Sequence, residues 1–226
     1  MIKLTNVTKV FNKNRPNEFT AVRNVDLEIS GSSITVFKGP SGSGKTTLLS
    51  LIGCMTKPTT GRIYIREEEI SSLSDRFLTD IRRKTFGFIF QGLNLIRGIT
   101  ALENVMLPGY PTGETNCILR GKAIHLLASL NIAHKAESKV ELLSGGEAQR
   151  IAIARALINE PAIIIADEPT AHLDTRLSID FMDNMEKLKN SGKKILLASH
   201  DPLVYASEIV DRIIEMRDGL ITKEQA

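Results

Sequence analysis

One eight-residue stretch constrains this chain more than any other. Gly39-Pro40-Ser41-Gly42-Ser43-Gly44-Lys45-Thr46 follows the apolar run Ile34-Thr35-Val36-Phe37 and leads into Thr47-Leu48-Leu49-Ser50-Leu51-Ile52. A buried strand turning through glycines into a helix is the context of a phosphate-binding loop. The glycines let successive N–H groups face one anion, and the helix start behind them adds a favourable dipole. Lys45 is then expected to reach the β- and γ-phosphates and the Thr46 hydroxyl to ligate Mg²⁺. Gly39, Ser41, Gly42, Ser43, Gly44 and Thr47 complete the expected phosphate cradle. A chance match to this pattern has a probability of roughly one in a hundred at ordinary glycine usage, so a merely flexible Gly/Ser turn is the weaker reading.

The 226 residues, 42% hydrophobic and 24% charged, fit one large or two small globular domains. Lys and Arg total 29 against 26 Asp and Glu, and the resulting net charge of +3 is too mild to argue for nucleic acid. It suits polyphosphate or an anionic membrane surface equally well. The cysteines, Cys54 and Cys117, lie far apart without metal-like spacing, and Cys54 falls in the apolar helix after the loop. Buried, reduced thiols and a cytosolic setting are expected. No apolar run approaches the ~20 residues of a membrane helix, and Met1-Ile2-Lys3-Leu4 does not open a signal peptide. Work at a membrane therefore requires another chain to span it.

Along the chain, residues 2–10 and 21–29 alternate apolar and polar, as half-buried antiparallel strands do. Phe11 closes the first, either as a core aromatic or as a face on which adenine stacks. A further alternating strand runs over 62–65 and a charged hairpin end over 66–69. A short helix over 74–84 carries Phe77, Leu78 and Ile81 on one side, and a strand over 86–90 delivers Gln91. Between Thr100 and Asn159 the period becomes helical, with Ala123, Leu126, Leu127 and Leu130 on one face and a loop over 108–113. This reads as a helical insertion, about 92–159, in an α/β core of about 1–91 and 160–226. A helix over 148–158 follows Leu143-Ser144-Gly145-Gly146-Glu147, with Gln149, Arg150 and Arg155 off its apolar face. Ser144 reads as a helix cap, a second anion site, or both.

The apolar runs 162–166 and 194–198 read as strands buried on both faces. The first ends in Asp167-Glu168-Pro169 and the second in Ser199-His200-Asp201. Ligands of parallel sheets collect at the strands' carboxyl ends. Asp167 and Glu168 read either as a surface pair of acids or, pointing to opposite sides of the strand end, as carboxylates with two jobs, Asp167 holding the Mg²⁺ shell and Glu168 polarising the attacking water. His200, structural when taken alone, gains a role from this position, as does Gln91, otherwise a surface residue, as a sensor of Mg²⁺ and the γ-phosphate. The helix carrying Leu177, Phe181, Met185 and Leu188 is core packing. Residues 209–216 and 220–222 close the chain as a hairpin around Arg217-Asp218-Gly219.

Assembled, these residues resemble the ATP-binding subunits of ABC transporters over nearly the whole chain and in the family's order. Walker A corresponds to 39–46, the Q-loop to Gln91, the signature to 143–147 and Walker B to 163–167 with Glu168. The D-loop follows at 171–174, with Asp174, and the switch histidine is His200. Ile52-Gly53-Cys54-Met55, Gly87-Phe88-Ile89-Phe90-Gln91 and Thr100-Ala101-Leu102-Glu103-Asn104-Val105 are similar to the lipoprotein-release and macrolide-export branch. Glu147-Ala148-Gln149 where glutamines are commoner, and Arg97 for a frequent proline, depart from its pattern.

The resemblance implies the P-loop ABC ATPase fold: a mostly parallel core sheet, an N-terminal antiparallel β subdomain and a helical insertion subdomain. It implies ATP hydrolysis with Mg²⁺ in a head-to-tail dimer, where Ser144, Gly145 and Gly146 of one copy complete the nucleotide site of the other, and it puts Asp174 among the nucleotide-binding residues. It also implies an integral membrane permease subunit as partner, at the cytoplasmic face of the cell membrane, in export or lipoprotein release. No nucleic-acid partner is expected. Alternatives sharing the motifs are an importer ATPase and a regulator or scaffold coupled to a membrane protein, as in cell division. A soluble ATPase acting on DNA or ribosomes would call for a longer chain.

Overall fold

The computed structural model describes residues 1–31, 33–171 and 173–225. Four strands, β1 (Ile2–Phe11), β2 (Phe19–Ile29), β4 (Thr60–Ile65) and β5 (Glu68–Glu69), form an antiparallel sheet in the order β2-β1-β4-β5. A second sheet has the order β10-β9-β3-β8-β7-β6, from β3 (Ile34–Lys38), β6 (Phe86–Ile89), β7 (Ile163–Asp167), β8 (Lys194–Ala198), β9 (Arg212–Arg217) and β10 (Leu220–Gln225). All its neighbours run parallel except β10 on β9. The helices are α1 (Lys45–Ile52), α2 (Asp75–Thr85), α3 (Ala101–Met106), α4 (Asn116–Ser129), α5 (Gly145–Leu157), α6 (Thr175–Asn190) and α7 (Pro202–Tyr205).

The central parallel strands β3, β7 and β8 are near-continuous apolar runs, interrupted by Thr35 and by the end residues Lys38, Asp167 and Lys194, because both faces are covered. Alternate side chains feed two cores. Ile34, Val36, Ile164, Ala166, Ile195 and Leu197 join α3 to α6 in one cluster. Phe37, Ile163, Ile165, Leu196 and Ala198 join α1 and the antiparallel sheet in the other. The α1 helix, with Leu48, Leu49, Leu51 and Ile52 buried, is thus pressed between the two sheets. The strand order puts the carboxyl ends of β3, β6, β7 and β8 along one edge, where Gly39, Gln91, Glu168 and His200 follow within two residues.

Several local expectations need correction. Residues 108–113 are no open loop, since Leu107–Thr112 is a 3₁₀ helix with proline in its first turn, where the missing N–H is harmless. Phe77 is 59% exposed while Leu78 is buried, so α2 packs on a narrower face than its sequence suggests. Cys54 is buried but lies beyond the end of α1 in left-handed backbone. Burial pushes its thiol up to about 12 against a smaller opposing pull from Arg82. Cys117, at the start of α4, is exposed. The α5 helix starts at Gly145 rather than Ala148, because Ser144 and Glu147 form a capping box. Gln149 is buried rather than facing outward. Of the loop expected over 171–174, His172 lies outside the described residues.

Candidate active site

The phosphate loop is wedged between two pieces of chain. Gly44 adopts φ 101, and a Cβ there would fall 2.4 Å from the Ala21 carbonyl oxygen, so only glycine fits both demands. On the other side the Gly219 N–H donates to Ser43 O at 3.1 Å, which fastens the loop to the β9–β10 turn. Lys45, 6% exposed, donates to Gly39 O at 2.7 Å and Pro40 O at 3.1 Å. Its ammonium is also 3.5 Å from Glu168 Oε1.

Asp167 and Glu168 divide as adjacent residues at a strand end do. Asp167 is still in β7, and its Oδ1 accepts from Thr46 Oγ1 at 3.0 Å. Burial pushes its carboxyl above the usual range, opposed by the Thr46 hydroxyl, reinforced by the Glu168 charge and opposed again by Lys45. Glu168 leaves the strand at φ 45, a left-handed conformation that costs a non-glycine residue about 1–2 kcal/mol. Its N–H donates to Ala198 O at 2.9 Å, and its Oε2 lies 3.0 Å from His200 Nδ1. One carboxylate thus joins the loop lysine to the histidine at the end of β8.

A cavity of about 250 Å³ is lined by Ser41, Gly42, Ser43, Gly44, Lys45, Thr46, Thr47, Gln91, Glu168 and His200, together with Phe19 and Ala21. Ten expected residues from four sequence regions therefore meet in one place, with Asp167 behind Thr46 and Gly39 under Lys45. Phe11 is 40% exposed, which removes the reading of it as a core aromatic. It pairs across the strands with cavity-lining Phe19, and Lys9 Nζ lies 5.1 Å from its ring centroid. Phe19 had gone unremarked, although an aromatic facing Phe11 across a short hairpin was the available signal. Ser144, Gly145, Gly146 and Asp174 do not line the cavity. Ser144 Oγ accepts from Glu147 N at 3.4 Å, Glu147 Oε2 accepts from Ser144 N at 2.8 Å, and Asp174 caps α6. The sharing of one nucleotide site by these two groups is not met within one chain.

The profile of the ABC transporter family matches residues 22–171. This chain belongs to the ABC transporter family, as an ATP-binding domain. The macrolide export ATP-binding/permease protein MacB of Hyphomonas neptunium is 42% identical over 224 residues, 99% of this chain and 34% of that protein. The lipoprotein-releasing system ATP-binding protein LolD of Bacteroides thetaiotaomicron is 39% identical over 228 residues, 99% of this chain and all of that one. The ABC transporter ATP-binding protein MJ0796 of Methanocaldococcus jannaschii is 42% identical and covered over 97% of its length. Its dimeric cassette superposes with a TM-score of 0.89 at 41% identity, covering 100% of this chain and 98% of that one, and it is also known in a post-hydrolysis state with ADP and Pi. The domain spans about a third of MacB but nearly the whole of MJ0796 and LolD, and the mixed α/β architecture is the one the sequence led us to expect.

Proposed function

We propose that this ABC domain hydrolyses ATP in a head-to-tail dimer and thereby drives an integral membrane partner of the export or lipoprotein-release type. The observation that carries the reading is the Glu168 carboxylate, held between Lys45 and His200 beside the Thr46–Asp167 pair. Glu168 accepts a proton from the attacking water as its oxygen bonds to the γ-phosphorus, and the bond to the β–γ bridging oxygen breaks to leave ADP. Lys45 exchanges its loop carbonyls for the β- and γ-phosphate oxygens, and His200 turns from Glu168 to the γ-phosphate. The N–H groups at the start of α1 meet the remaining charge. Phe11 stacks on adenine.

The donor set suits Mg²⁺, since the Thr46 hydroxyl and Asp167 carboxylate are hard oxygens already within hydrogen-bond reach of each other. Thr46, Asp167 and Gln91 would hold it, and when bound it neutralises charge building on the phosphates. Ser144, Gly145, Gly146 and Asp174 act on the nucleotide of the second copy. The dimeric cassette of MJ0796 and the name of MacB support the assembly and the membrane partner. Residues 92–159 act as the helical unit of a core formed by 1–91 and 160–226. Between them a cavity of about 310 Å³, lined by Met55, Phe86, Phe88, Phe90, Pro108 and Ala156 among others, is where the membrane partner docks. No helix among the described residues is long and apolar enough to cross a membrane. With its membrane partner the domain works at the cytoplasmic face, a reading that rests on the resemblance to ABC transporter subunits.

Glu168→Gln tests the core of this reading. The variant is expected to bind ATP, accumulate as dimer by gel filtration and release no phosphate. Hydrolysis at the wild-type rate would sink the assignment.

A further inference from the structure

Glu168 sits in strained backbone, and such a conformation persists only where its surroundings over-determine it. Two side chains grip the turn that follows it. Thr170 Oγ1 donates to Asp201 Oδ2 at 3.3 Å, joining the turn to the residue after His200. From α5, Gln149 Nε2 donates to the Pro169 carbonyl oxygen at 3.2 Å. Gln149 is 3% exposed and Pro169 is buried, so no water can replace this donor. The acceptor is a carbonyl, which fixes the amide orientation with nitrogen towards the turn.

Gln149 lies one helical turn after Gly145 on α5, the helix capped by Ser144. A single helix therefore runs from the residues proposed to touch the partner's nucleotide to the Pro169–Thr170 peptide, one residue beyond this chain's own Glu168. We infer that Gln149 is a positioning residue for Glu168, tying the turn 168–170 to α5 so that the seating of Ser144-Gly145-Gly146 on one nucleotide sets the carboxylate that acts on the other. Hydrolysis at the two sites of a dimer is coupled through it. The inference rests on the roles proposed above for Glu168 and for the head-to-tail dimer.

The test is ATP hydrolysis by full-length Gln149→Leu across ATP concentration, run beside Glu168→Gln. Loss of one buried hydrogen bond to the turn should lower kcat about five- to tenfold. KM should stay within about twofold, because the phosphate loop is untouched, and the Hill coefficient should fall towards about 1 as the sites uncouple. Gln149→Met, of matching length and without a donor, should behave alike. A role confined to stability would lower the melting temperature and leave kcat per folded molecule and the Hill coefficient at wild-type values. That result in either variant, or the failure of both to fold, overturns the inference. Wild-type turnover by Glu168→Gln would instead remove the proposed function, whatever Gln149 does.

Discussion

Asn104 is fully buried on α3, and its amide clamps the segment that leads from Gln91 into the helical part of the domain. Its Oδ1 accepts from Ile96 N at 2.7 Å, while Nδ2 donates to Ile96 O at 3.0 Å and Thr100 O at 3.0 Å. Thr100 O keeps a second donor in the Asn104 N–H at 3.0 Å, so Asn104→Ala orphans chiefly the two backbone groups of Ile96. Three net hydrogen bonds at about 1 kcal/mol each put the loss near 3 kcal/mol. For a chain of this size that lowers the melting temperature by about 6–12 °C. Asn104→Leu should cost as much, since it refills the volume and leaves the same groups unpaired. Asn104→Asp keeps the acceptor for Ile96 N but turns a carboxylate towards two carbonyl oxygens, and should be no better. Urea unfolding of the three variants measures this through the midpoint at unchanged slope. A loss below about 0.5 kcal/mol in Asn104→Leu would refute the claim that the polar clamp, rather than volume, stabilises the segment.

Two further outcomes follow from local geometry. A Cβ at Gly87 would stand 2.2 Å from the Ala156 carbonyl oxygen, so Gly87→Ala must push α5 off β6, and differential scanning calorimetry should show a loss of about 3 kcal/mol or more. The Glu147 carboxyl is held below its ordinary value of 4.5, first by the Ser144 N–H bond and then by the Ser144 hydroxyl and Lys135, against the opposing effect of burial. A depressed carboxylate stabilises the fold above the unfolded value, and that contribution disappears as pH falls through the folded one. Glu147→Gln should therefore unfold at lower urea than wild type at pH 7, and the gap should close as the pH drops below about 4. An unchanged gap at acid pH would show that shape rather than charge matters there.

Much of the domain was legible from local pattern. Runs such as Ile163-Ile164-Ile165 announce strands covered on both faces, and the residues just after them are where a parallel sheet gathers its ligands. Gln91, Glu168 and His200, which the fold brings to one cavity, could be picked out for that reason, and Lys45 by the glycine pattern that precedes it. Gln149 and Phe77 were placed on the wrong faces, and Asn104 went unremarked as a buried clamp. Their placement depends on what packs against them from elsewhere, and helical spacing carries no record of that.

The phosphate loop, the strand ends and the family they resemble were thus determined by the sequence alone, because each rests on short-range chemistry: glycines at a turn, an apolar run, a charge directly after it. Only the tertiary structure decided that Glu168 bridges Lys45 and His200, that Ser144 and Gly146 lie off the cavity of their own chain, and that a buried glutamine joins α5 to the turn after Glu168. Those facts follow from the order of the strands and the seating of α5 on them. A buried amide finds its carbonyl across 20 residues of chain only once both have been packed into the same core.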